Sequence, residues 1–88
     1  MNFKSKFPRE LLNEIKWRLH NLSNCVIYFI SRGSPNNVAI VKGDQIIKID
    51  NFLVLEGTPF ETYIPYHRIV KIEYCGETIF EKVQHGLK

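Results

Sequence analysis

No G-x-S-x-G elbow, no phosphate-cradling P-loop and no G-x-G-x-x-G fingerprint occurs in the 88-residue sequence. That removes the familiar nucleophile elbows and the nucleotide-cofactor loops. The three histidines, His20, His67 and His85, fall in a helix end, a turn and a tail. No pair has ligand spacing, so no metal and no cofactor is expected. The two cysteines, Cys25 and Cys75, are far apart and share no C-x-x-C. Each lies in an apolar run that reads as a strand, so both are expected as buried free thiols in a reducing compartment. No apolar run approaches the roughly 18 residues that span a bilayer, and no secretory h-region opens the chain. The expectation is a cytoplasmic protein with no membrane partner. Both signs of charge are present in quantity: twelve Lys and Arg against nine Asp and Glu leave +3. This suits an anionic partner without demanding one.

What is present is a folded soluble composition, 44% hydrophobic and 24% charged. The length suits one domain, 1–88, with a core over about 8–83 and a loose tail at 84–88. Pro8 fits a first helical position, where its missing N–H has no partner to lose. Leu11, Leu12, Ile15, Leu19 and Leu22 then form one apolar stripe, and Glu14 is spaced to pair with Arg18. Trp17 falls opposite that stripe, which predicts that the helix ends near Lys16 and that Trp17 turns inward.

From Cys25 to Ile30 the run is continuously apolar, the pattern of a central strand covered on both faces. Residues 32–37, RGSPNN, are a turn cluster, and 38–42 a second strand. Gly43-Asp44 signals a tight hairpin into a third strand at 45–50. Further strands follow at 52–55 and 62–64. The next alternates over 69–74, with Val70, Ile72 and Tyr74 on one face, and the last runs over 78–83. One helix followed by six or seven short strands without crossover helices predicts an α+β fold. The helix packs on a strongly curved antiparallel sheet or a small, partly open barrel.

Two turns carry the chemistry. In YIPYHRIV (63–70), Pro65 ends one strand, Ile69 starts the next, and His67-Arg68 occupies the corner. In RGSP (32–35), Gly33 permits a positive φ or a close approach to a ligand. Arg32 and Arg68 offer planar forks for bidentate phosphate contacts, with Lys42 and Lys71 as point charges. His67 can donate to a phosphate oxygen. Tyr28, Tyr63 and Tyr66 can stack on unpaired bases. Read as structure alone, the same residues are strand-end tyrosines with wet hydroxyls, and arginines capping turn carbonyls.

LLNEIKW, YFISRGSPNN, VKGDQIIKI, FLVLEG and above all YIPYHRIVKIEY together resemble a mainly archaeal family of small proteins. The same domain occurs in larger proteins as the RNA cyclic group end recognition domain. The resemblance covers about residues 10–82, and IPYHRI combined with RGSP is its most specific part. The loop GTPFET (57–62) departs from the family by looking longer than a compact connection. The resemblance implies a module that binds an RNA 3′ end and its terminal phosphate, a 2′,3′-cyclic phosphate being the end its name suggests. On this sequence it implies Arg32, Gly33, Tyr66, His67 and Arg68 at the site; residue chemistry adds Lys42 as a point charge and Tyr63 as a stacking ring. Two alternatives stay open: an RNA-end phosphoesterase with His67 as acid or base, and a protein-interaction module indifferent to RNA.

Overall fold

Pro8 begins the helix as expected, with the Leu11 N–H donating to the Phe7 carbonyl at 2.9 Å. The computed structural model describes residues 7–57 and 60–82. The α-helix, α1, spans Pro8–Glu14 and continues as a π-helical turn over Ile15–Leu19. His20 closes it in the left-handed region at φ 51. Leu11, Leu12 and Ile15 are buried, and Arg18 pairs with Glu14 at 3.3 Å. Trp17 does not turn inward: it is 68% exposed, with the Lys16 ammonium 5.1 Å from its ring centre. The chain stays helical past it, so keeping Ile15 and Leu19 on the core leaves the residue midway between them outside.

Among the described residues seven strands follow: β1 (Cys25–Ile30), β2 (Val38–Lys42), β3 (Ile46–Ile49), β4 (Leu53–Leu55), β5 (Thr62–Ile64), β6 (Ile69–Tyr74) and β7 (Glu77–Glu81). They form two antiparallel sheets, ordered β2-β1-β6-β7 and β3-β4-β5, and not a closed barrel. The α+β expectation holds, with the curvature realised as a split into two sheets. The helix and both sheets enclose one hydrophobic cluster that includes Leu12, Ile15, Ile27, Leu53, Ile64 and Ile72. Each such side chain contributes about 1.5–3 kcal/mol when withdrawn from water.

The Gly43-Asp44 signal is not a hairpin. Gly43–Gln45 is a single 3-10 turn that carries the chain from the first sheet to the second. Gly43 is buried, its backbone pressed against the 3-10 turn Leu22–Asn24 that leads into β1. A second 3-10 turn, Tyr66–Arg68, carries the chain back from β5 to β6.

Three further expectations change. Strand β1 is covered on one face only: Cys25, Ile27 and Phe29 are buried, whereas Val26 and Tyr28 are half-buried and Ile30 exposed. The outer face is instead held by polar contacts. Tyr28 donates to Glu73 at 3.1 Å, Lys71 pairs with Glu73 at 3.3 Å, and the Lys71 ammonium lies 5.2 Å from the Tyr28 ring centre. In β6 the buried residues are Ile69, Ile72 and Tyr74, with Val70 only half-buried. The register against β1 shifts between Tyr28 and Phe29, so one extra residue there puts Ile69 on the core side. Cys75 is exposed, because Cys75 and Gly76 make the tight β6–β7 turn with φ values of 52 and 83. Two successive left-handed residues suit the right-handed twist of a hairpin, and they turn the Cys75 side chain out of the strand pattern.

Both thiols are free. Burial, reinforced by neighbouring Cys75, pushes the Cys25 thiol up from 9.0 to about 12. No helix among the described residues is long and apolar enough to cross a membrane. The tail at 84–88 lies outside the described residues, as do Thr58 and Pro59 of the 57–62 loop.

Candidate nucleic-acid interface

The pairing of β1 with β6 decides where the two sequence turns meet. Phe29 opposes Ile69, so the end of β1 lies beside the start of β6. Arg32 follows the first and Arg68 precedes the second. Both arginines line one depression of about 300 Å³ at the seam of the two sheets, together with Ser31, Thr62 and Tyr63. Its apolar lining is Phe29, Ile30 and Ile64, and among the described residues no carboxylate lines it. Neither guanidinium makes an ion pair among the described residues. Among the described residues, two planar forks without an ion pair and three hydroxyls thus line one depression, donors of a kind that suits an oxyanion.

The 31–37 turn that presents Arg32 is tied internally. The Ser31 N–H donates to the Asn37 carbonyl at 2.8 Å, and the Asn37 N–H to the Ser34 carbonyl at 2.8 Å. Gly33 has φ 92, and an added Cβ there would meet open space. Its role is therefore the left-handed backbone, not a close approach to other protein atoms. The turn that presents Arg68 closes with the Arg68 N–H on the Pro65 carbonyl at 3.0 Å.

Other sequence candidates lie elsewhere. His67 and Tyr66 border a separate apolar depression of about 300 Å³ against Phe7, Pro8 and Phe80. Lys82 donates to the His67 carbonyl at 2.7 Å, and the Tyr66 hydroxyl donates to the Asp50 carbonyl at 2.7 Å. Burial raises the Tyr66 pKa, with the Asp50 carboxylate acting the same way and Arg9 opposing. The adjacent His67-Arg68 pair thus splits, because successive residues of a 3-10 turn point about a third of a turn apart. Lys42 pairs with Val26, at the end of β2 away from Val38 and Ile30. Four residues of strand, about 13 Å, separate it from the Arg32 end. Among the described residues no group of His, Cys, Asp and Glu could hold a metal ion.

Sequence reading missed Phe52. Its ring stands at 85° to that of Tyr63 with centroids 6.4 Å apart. The pair forms part of a second cleft, of about 360 Å³, on the outer face of β3-β4-β5. Tyr63 borders both depressions. Its hydroxyl donates to Glu61 at 3.1 Å, and this bond, with the Glu61 charge, raises its pKa. Phe52 lies eleven residues from Tyr63 and meets it only because Leu53 pairs with Ile64. Nothing local in FLVL encodes that.

Comparison with known proteins places this chain in a family. The description that matches residues 6–82 is the MJ1316 RNA cyclic group end recognition domain. A UPF0248 protein of Methanococcus vannielii is 36% identical over 78 residues, covering 85% of this chain and 90% of the relative. A UPF0248 protein of Pyrobaculum islandicum is 34% identical over 76 residues, covering 84% and 87%. One from Methanopyrus kandleri is 38% identical over 61 residues, covering 68% and 77%. No solved structure matches the chain. With nearly its whole described length matched, the chain belongs to the RNA cyclic group end recognition domain family.

Proposed function

We propose that this protein is a non-catalytic module that binds the 3′ end of RNA through its terminal phosphate, gripped between Arg32 and Arg68. The observation that carries the reading is that two guanidinium groups from separate turns, neither in an ion pair among the described residues, border one depression that no described carboxylate lines. The family description supplies the ligand class. A 2′,3′-cyclic phosphate is a monoanion with two non-bridging oxygens, one for each fork. Ser31 and Thr62 add hydroxyl donors at the rim, and Tyr63 offers a ring to the adjoining nucleoside. His67 borders the separate depression with Phe7, Pro8 and Phe80 and not this one, so it is assigned no step.

Fluorescence anisotropy with short RNAs ending in cyclic phosphate, 3′-phosphate or hydroxyl tests the reading. The cyclic end binds tightest, and its affinity falls as salt rises because a phosphate contact releases counterions. Arg68→Ala weakens cyclic-end binding about ten-fold or more, the size of a lost charged hydrogen bond. Arg68→Lys restores only part, lacking the fork. Equal or undetectable binding of all three ends defeats the proposal. Recovery of an opened ring after incubation, abolished by His67→Ala, would make the protein an enzyme instead.

A further inference from the structure

The cleft on the outer face of β3-β4-β5 has no part in gripping a phosphate, yet it adjoins that site. Phe52 and Tyr63 are 45% and 59% exposed, large rings left in water beside a depression of about 360 Å³. Val54 and Ile47 extend the apolar surface between them. Around the rim stand the Asn51 amide, the Asp50 and Glu61 carboxylates and the Lys48 ammonium, which pairs with Asp50 at 3.7 Å. Exposed aromatics of this kind cost solvation unless something covers them.

We infer that this cleft is a nucleobase subsite for the nucleotide whose phosphate lies between Arg32 and Arg68. The inference rests on the RNA-end reading and adds where the base goes and what holds it. Three observations favour a base over other occupants. Tyr63 borders both depressions, so a ligand anchored by phosphate in one reaches the other across a single side chain. The two carboxylates make the cleft unfavourable for an anion, so its occupant is an uncharged part of the ligand while the phosphate stays with the arginines. The perpendicular rings form a corner in which a flat heteroaromatic group stacks on one wall and is stopped by the other. The amide, carboxylates and ammonium at the rim supply both donors and acceptors, as the edge of a base requires. The volume, near the lower end of the roughly 300–1,000 Å³ usual for small-molecule sites, suits one nucleoside.

The test is an amide NMR titration of the full chain with adenosine 2′,3′-cyclic monophosphate and, separately, with inorganic phosphate. The nucleotide is expected to shift the amides of Phe52, Val54 and Tyr63 together with those of Arg32 and Arg68. Phosphate is expected to shift only the arginine turns. Phe52→Ala, at a half-exposed position that the core does not need, weakens nucleotide binding about five- to a hundred-fold, as stacking on one ring predicts. It leaves the phosphate response unchanged, and Phe52→Tyr restores the nucleotide affinity. A nucleotide that shifts only the arginine turns and binds Phe52→Ala equally well overturns the base subsite while leaving the phosphate reading intact. Shifts from neither ligand at Arg32 and Arg68 overturn both.

Discussion

Replacing Gly43 by alanine separates two accounts of how the chain passes from β2 to β3. In a simple flexible turn with an ordinary backbone, alanine is harmless. Gly43 is not among the glycines with positive φ, so the substitution would even stabilise by about 0.4–1 kcal/mol through the unfolded chain. The structure predicts the opposite sign. A Cβ on Gly43 would run into the Leu22 carbonyl oxygen and press on the Cys25 Cβ at 3.0 Å. Neither neighbour is the far end of a flexible side chain. The Leu22 carbonyl accepts the Cys25 N–H at the base of β1, so moving it disturbs the first residue of a central strand. Overpacking costs about 1–3 kcal/mol, and a strained or lost backbone hydrogen bond adds about 0.5–1.5 kcal/mol. Set against the entropic gain, the net is a loss of about 0.5–4 kcal/mol. At about 0.05–0.15 kcal/mol per residue the whole domain has only a few multiples of that to lose. Urea unfolding followed by circular dichroism should show a lower midpoint with an unchanged m-value. Gly33→Ala is the control: with open space around it, its cost is the left-handed φ alone, about 1–2 kcal/mol. A Gly43→Ala protein as stable as the wild type, or more so, would refute the packed sheet crossing.

Cys25 makes stability fall at high pH. Its thiol ionises at about 12 in the folded chain against 9.0 ordinarily, so the unfolded state loses its proton first. The contribution is whole below pH 9 and declines by up to about 1.4 kcal/mol per pH unit between those values. Cys25→Ala should flatten that slope in urea titrations over the same range, and an unchanged slope would count against it. Trp17, the only tryptophan, should emit like indole in water and be quenched readily by iodide, and Trp17→Ala should cost under about 1 kcal/mol. A blue-shifted, protected emission would restore the inward orientation. Tyr66→Phe removes the 2.7 Å bond to the Asp50 carbonyl and should lower stability by about 0.5–1.5 kcal/mol without changing the affinity for a cyclic RNA end. Loss of binding at unchanged stability would move the site towards Tyr66.

Much of the fold is legible in local chemistry. Pro8 marks the helix start because only there does a missing N–H cost nothing. The apolar run of β1 and the strand pieces 38–42 and 62–64 have the bounds their composition indicates. What local pattern could not carry was the partner of each element. Gly43 looks like a hairpin glycine in sequence, whereas its need for smallness comes from Leu22 and Cys25, residues some twenty positions away. Alternation in 69–74 points to Val70, but a bulge created by pairing with β1 hands the core position to Ile69.

The sequence by itself determined the class of the protein: a small α+β chain whose helix and strands follow from apolar periodicity and turn residues. It also marked Arg32 and Arg68, as planar forks suited to phosphate in the two turns that carry the family resemblance. Tertiary structure alone decided which of the marked residues share a surface. Strand register brings Arg32, Arg68 and Tyr63 to one seam, the pitch of a 3-10 turn sends His67 away, and the pairing of β4 with β5 sets Phe52 against Tyr63. Periodicity is a property of neighbours along the chain, whereas a binding surface is a property of neighbours across it, and only the folded register relates the two.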